Sequence, residues 1–243
     1  MTKILLIPII AMTILLCFSV QDAHAIDYDI STDPGCNQFG GSLVATTCTI
    51  QTVTTTVSPG NSLTIPSGAT LVMTYNGASY SIYNVGTINN SGTMVLSNTS
   101  GYSIYNVGTI NNNPGGLITI SASNGVGIVN PSPGGTINNK GIITIAVSGN
   151  SNGISISVDG IINNSGTITI SNTDGIAILN VGTINNTGLI NNSGTINNYG
   201  TIKIWKGGSI TNSGTIFNCN NGATPSKITG KITGNKPTAG TCP

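Results

Sequence analysis

The sequence contains no glutamate and no arginine, and its single histidine is His24. Charged residues fill 5% of the 243 positions and aromatic residues another 5%. Each shortage excludes something. Without arginine and with a net charge near zero, the chain builds no basic face that could neutralise a run of phosphates, so nucleic acid is not an expected partner. Acid–base work on polysaccharides needs paired carboxylates, or a carboxylate beside a base. Beyond residue 25 the acids are only Asp27, Asp29, Asp33, Asp159 and Asp174, against Lys140, Lys203, Lys206, Lys227, Lys231 and Lys236, a net of six minus five, +1. Hydration must then come from Asn, Ser and Thr. Long apolar runs are also missing after residue 25, so no membrane span is expected in the mature chain.

The start of the chain is different. Met1-Thr2-Lys3 is followed by the apolar run "ILLIPIIAMTILLCFSV" and by "AHA" at 23–25. This predicts a secretory signal peptide, residues 1–25, cut after Ala25; an uncleaved anchor is the alternative. Cys17 follows Leu16, where a lipidated cysteine would want a small residue. About 218 residues remain (243 minus 25), with Cys36, Cys48, Cys219 and Cys242 as one close pair near each end. An even count in an exported chain points to disulfides. Three connectivities exist, of which Cys36–Cys48 with Cys219–Cys242 closes the shortest loops. A four-cysteine zinc site is the rival, though no C-x2-C spacing supports it.

What the chain has in abundance is repetition. "SIYNVGTINN" occupies 81–90 and recurs unchanged at 103–112. Extending the pattern aligns Ile82, Ile104, Ile128, Ile156 and Ile178. Two residues earlier stand Tyr80, Tyr102, Val126, Ile154 and Ile176. Two residues later stand Asn84, Asn106, Asn130, Val158 and Asn180. Spacing by two places all three columns on one side of a strand, facing inward. A second segment repeats the arrangement with Ile88, Ile110, Ile137, Ile162 and Ile184, followed by Asn90, Asn112, Asn139, Asn164 and Asn186. A third reads "TMVL", "LITI", "IITI" and "TITI".

Three short strands per period, parted by Gly-rich turns, predict an all-β, single-stranded parallel β-helix with three faces. The stretch "GTINNTGLINNSGTINNYGTI" (182–202) then becomes three six-residue faces of one compact coil. About eight coils fill residues 49–218, with disulfide-stapled caps at 26–48 and 219–243. The irregular long coils point to a right-handed winding, while the hexads alone would suit a left-handed one. At each corner the backbone leaves its ladder, and an inward Asn can bond both the turn and the Asn of the next coil. The second Asn of each pair is therefore read as a stacked ladder. The first points outward and is open to other roles, sugar contact among them.

With "GTINNTGLINNSGTI" in view, residues 49–228 resemble secreted β-solenoid surface proteins: filamentous-haemagglutinin-type adhesins and the Asn/Thr/Gly-rich surface β-helices of archaea. The resemblance implies a structural or adhesive role at a cell surface. It departs from autotransporters, for no C-terminal membrane barrel is apparent.

The chemical candidates are few. Asp159 and Asp174 are the only carboxylates in the repeat body and fall at different corners, which suits turns. Trp205 lies between Lys203 and Lys206, where packing and solubility compete with a stacked sugar. Thr87, Thr109, Thr136 and Thr183 form a column that Ile161 breaks, so a flat ice-binding array is not sustained. The GGxGxD calcium repeat is missing. Sequons stand at Asn89, Asn98, Asn163, Asn185 and Asn191. The expectation is a non-enzymatic, secreted structural or adhesive protein, without catalytic residues, metal or cofactor. Its expected partners are surface glycans or other copies of itself. The alternatives are a carbohydrate-binding or polysaccharide-degrading β-helix, and a subunit of an extracellular filament.

Overall fold

A computed structural model describes residues 25–51, 54–149, 151–172, 175–219 and 226–240. Residues 1–24 of the expected signal segment and Cys242 lie outside the described residues, as does Asp174. The one described helix is Asp33–Gln38; all other elements are strands. They form a three-faced parallel β-solenoid of about eight turns.

The first face is a nine-stranded sheet in which each strand pairs with its counterpart one turn away. Thr87–Asn90 pairs with Thr109–Asn112, and this in turn with Thr136–Asn139, residue for residue. The second and third faces stack in the same way. In the middle of the rod one continuous strand runs through both, as in Thr93–Asn106 and Leu117–Asn130. Layers roughly 4.8 Å apart make a rod on the order of 40 Å long.

The recurring T-I-N-N strand shows why this sequence coils. Thr and the first Asn face out, Ile and the second Asn face in, and burial alternates accordingly. Ile88, Ile110 and Ile128 are fully buried, each stabilising the fold by about 1.5–3 kcal/mol relative to exposure. The Gly that follows each corner has a steric cause. A Cβ on Gly108 would lie 2.1 Å from the Gly86 carbonyl oxygen, and one on Gly188 would lie 2.1 Å from that of Gly166. Stacked corners approach too closely for any side chain there.

The structure corrects two alignments. Ile154, not Ile156, stacks between Ile128 and Ile178. Ile156 consequently occupies the corner position of Asn130 and Asn180, and Val158 lies outside the column, 70% exposed. A slip of two residues preserves the alternation of a strand, so hydrophobicity alone could not detect it. The second correction concerns Tyr80 and Tyr102, which are not inward. Ser81 and Ile82, and again Ser103 and Ile104, are consecutive buried residues. The bend at this corner turns two neighbours inward and leaves the tyrosines outside. The extra inward position admits only small groups: Ser81, Ser103, Gly127, Gly153 and Ala177 occupy it.

The two flanking segments continue the coil. Asp27–Asp29 pairs parallel with Ser62–Ile65 as the first layer. Over it packs the short helix, whose Gly35 is so close that a Cβ would lie 1.9 Å from the Asp29 carbonyl oxygen. Thr32 caps the helix by accepting from the Gly35 amide. Cys36 and Cys48 form a disulfide that ties helix to second face. Closing a loop of this size stabilises by about 3 kcal/mol in a chain-entropy model. At the other end Lys227–Thr229, Ile232–Gly234 and Thr238–Gly240 form the last layer, each pairing parallel with the coil before. Cys219 is also disulfide-bonded.

Candidate functional site

Three arrangements of side chains distinguish this rod: asparagine ladders inside, an asparagine comb outside, and a tyrosine platform.

The inner ladder of the first face runs through Asn90, Asn112, Asn139, Asn164 and Asn186. Each Nδ2 donates to the Oδ1 of the next, at 2.7–2.8 Å. Each also donates to a backbone carbonyl of the next coil, as Asn112 does to Ile142 at 3.1 Å. The third-face ladder joins Asn84, Asn106 and Asn130, stops at Ile156, and resumes as Asn180, Asn198 and Asn218. A short second-face ladder links Asn192 to Asn212 at 2.8 Å. Asn192, Asn198, Asn212 and Asn218 extend the ladders beyond the aligned columns, into the compact coils.

Every donor points toward the C-terminal end, and this accounts for three buried acceptors without a partner. Asn84, Asn90 and Asn180 have unpartnered Oδ1 atoms. Each opens a run, for the residues stacked beneath them are Val57, Ile65 and Ile156, which have nothing to donate.

Outside, Asn89, Asn111, Asn138, Asn163 and Asn185 form a second ladder on the first face. Here the donors run the other way, from Asn111 to Asn89 and from Asn138 to Asn111, both at 3.0 Å. Asn163 and Asn185 continue it at 2.9 and 3.0 Å. A glycan on Asn163 or Asn185 would replace one hydrogen of an Nδ2 that donates within this comb. Asn191 donates to Thr169 Oγ1 at 3.3 Å. The sequon at Asn98 is a correction: that side chain is turned inward and 3% exposed, so the folded chain does not present it. The comb ends at Lys203, which takes the next position beyond Asn185 and lies 3.8 Å over the Trp205 ring. Trp205 is 48% exposed and thus available on its free side.

The tyrosine platform lies on the outside of the third face. Tyr83 stacks beside Tyr105 and Tyr80 beside Tyr102, one coil apart. Ring centroids are separated by 5.0 Å for Tyr80–Tyr83, 5.6 Å for Tyr83–Tyr105 and 5.7 Å for Tyr102–Tyr105. Tyr75 completes an open groove of about 710 Å³, within the roughly 300–1,000 Å³ typical of ligand sites. Five of the seven tyrosines of the chain meet here. All are half-buried, and no charged residue lines the groove. The platform ends abruptly, since the same outward positions hold Thr56 on one side and Val126 and Val129 on the other. A signal was present in the sequence, where "SYSIYN" and "GYSIYN" crowd tyrosines in two consecutive coils.

Asp159 is exposed and accepts from Ser132 Oγ at 3.0 Å, a turn contact. Among the described residues no three of His, Cys, Asp and Glu come together as metal ligands. No described helix is long and apolar enough to cross a membrane. Comparison with family models, with curated proteins and with solved structures finds no match.

Proposed function

We propose that this is an exported, non-enzymatic surface protein in which a stiff solenoid carries an adhesive patch for neutral carbohydrate. The observation that carries the reading is the tyrosine platform. A chain with 5% aromatic residues has gathered five of them in one uncharged groove. Pyranose rings present flat C–H faces that stack on aromatic rings, and tyrosine adds a hydroxyl for the sugar's own hydroxyls. Four rings over two coils offer stacking for successive sugars rather than one. The inner ladders support the structural half of the reading, because they fix the register that keeps the rings aligned.

The test is binding of cellohexaose, laminarihexaose and chitohexaose, measured by calorimetry. Wild type should bind at least one of them. A Tyr83→Ala/Tyr105→Ala variant should lose about tenfold or more in affinity, since two aromatic contacts at a central site carry that much. Trp205→Ala should change nothing. Binding that survives the double variant, or no binding to any of the three by wild type, removes the adhesive site. Shortening of the oligosaccharides by wild type but not by Asp159→Asn would replace adhesion with catalysis.

A further inference from the structure

We infer that the two ends of the rod are complementary, so that one copy of this chain docks head to tail on a second copy. The warrant is the placement of charge. After the leader, the first layer and its helix hold Asp27, Asp29 and Asp33, and the first lysine to follow is Lys140. The last layer holds Lys227, Lys231 and Lys236, all exposed, and no acid follows Asp174. The lysines ring the end: Lys227 opens the strand Lys227–Thr229, Lys231 follows that strand, and Lys236 follows Ile232–Gly234. Of the eleven charges that follow residue 25, three of the five acids thus lie in the first layer and its helix, and three of the six lysines in the last layer.

Within one molecule this sorting is unfavourable. The ends are on the order of 40 Å apart, several times the screening length of about 8 Å at physiological salt. They cannot neutralise each other, and each repels its own like charges. Between two molecules stacked end on end the same groups become neighbours. Among the described residues the last layer is also the less covered of the two. Thr238–Gly240 is exposed throughout, and Ile228 and Ile232 are only partly buried. Lysine on a sheet edge is a known guard against pairing, and that alone would explain the three lysines. The acids have local partners too: Asp27 accepts from Ser62 and Thr64, Asp29 accepts from Ser31, and Asp33 stands in the first turn of the helix. None of these local roles requires the acids and the lysines to lie at opposite ends.

The helix also sets the kind of contact. It covers the first layer, so the partner's strands do not continue the ladder; the helix seats on the open layer as a plug. Such a contact uses different surfaces on the two copies and does not close on itself, so it propagates as a filament. Because charge drives it, it should weaken steeply with salt.

Sedimentation velocity on the full exported chain tests this. Wild type should form concentration-dependent oligomers at about 0.02 M salt and become monomeric at about 0.5 M, as the screening length falls from roughly 20 to roughly 4 Å. Lys227→Asp/Lys231→Asp should be monomeric alone. So should a variant with Asp33→Lys, Asn37→Lys and Gln38→Lys, all exposed helix positions. Mixing the two should restore alternating oligomers, which also proves both folded. Tyr83→Ala/Tyr105→Ala should associate like wild type, so this result stands apart from the glycan reading. A monomeric wild type at low salt, or oligomers indifferent to both charge reversals, overturns the inference.

Discussion

The coil that begins at Thr109 and the one that begins at Thr183 use different interiors. The first takes 27 residues to the next layer (109 to 136), the second 18 (183 to 201). In the longer coil the inward residues include Ile110, Ile118, Ile120, Ala122 and Ile128, with amides at two corners. In the compact coil Ile184, Ile190 and Ile196 alternate with Asn186, Asn192 and Asn198, one amide at each corner. The two coils sit in the same rod and share its spacing. The difference shows that apolar burial and amide ladders are exchangeable at a corner. Isoleucine fills the space where the coil is wide and the strand continues. Asparagine serves where the chain must turn at once and corner amides need partners. Apolar packing supplies more free energy per residue, about 1.5–3 kcal/mol against about 1 for a net hydrogen bond. The ladder supplies register, because an amide one step out of line leaves a buried polar group unpaired.

That contrast can be broken most severely in the wide coil. Ile118 is fully buried between Met94 and Ile143. Ile118→Ala should cost about 2–5 kcal/mol by urea unfolding, toward the upper end, because the residues stacked on both sides of it are apolar. Ile190→Ala in the compact coil should cost less. Its neighbours in the coil include ladder amides, so water can enter the vacated space. A larger loss for Ile190→Ala would mean that the compact coils depend on apolar packing after all.

The ladder itself comes next. Asn112→Ala removes the acceptor of Asn90 and the donor to Asn139, leaving buried groups unpaired, and should cost about 1–3 kcal/mol. Asn111→Ala breaks two bonds of the outer comb, where water can replace the lost partner, and should cost under about 1 kcal/mol. Equal shifts of the two melting temperatures would erase the distinction between inside and outside.

The smallest effect is the sharpest test. Ile156→Asn would insert an amide between Asn130 and Asn180, giving the Asn180 Oδ1 the donor it lacks. The gained bonds should offset the lost burial to within about 1 kcal/mol. Ile154→Asn, stacked between Ile128 and Ile178 with no amide to meet, should cost about 3 kcal/mol or more. If the two substitutions cost the same, ladder exchangeability fails at the place best prepared for it.

How legible was this from the sequence? The first face is legible down to the residue: its Ile and Asn columns pair as aligned, because each of these strands is four residues long and carries Ile and Asn at its second and fourth positions. The third face was misread where its coils change length. Between Gly134 and Ile176 the turns vary, and Ile154-Ser155-Ile156 fits the inward pattern in either of two positions. The tyrosines were misplaced for a different reason. Strict alternation fails at a corner where two consecutive residues turn inward, and Ser81 takes the place that alternation gives to Tyr80. Sequence periodicity describes strands well and corners poorly, and the candidate site lies at a corner. The end charges are visible as a composition, but only the pairing of Asp27–Asp29 and Lys227–Thr229 as the outermost described layers gives them a geometry.

The identity of residues 81–90 with 103–112 has a bearing on inheritance as well as on packing. Each layer bonds only to the layers above and below it, so the coil is the smallest piece that can be copied without repair. Repeating the 22 residues from Ser81 to Tyr102 in the coding sequence would add one layer, roughly 4.8 Å of reach, and two further tyrosines. The capped head and the lysine-ringed tail would be unaffected. Recombination between such repeats therefore changes this molecule in whole steps: the rod's length and the number of its aromatic rings rise together, while the surfaces through which copies would meet stay fixed.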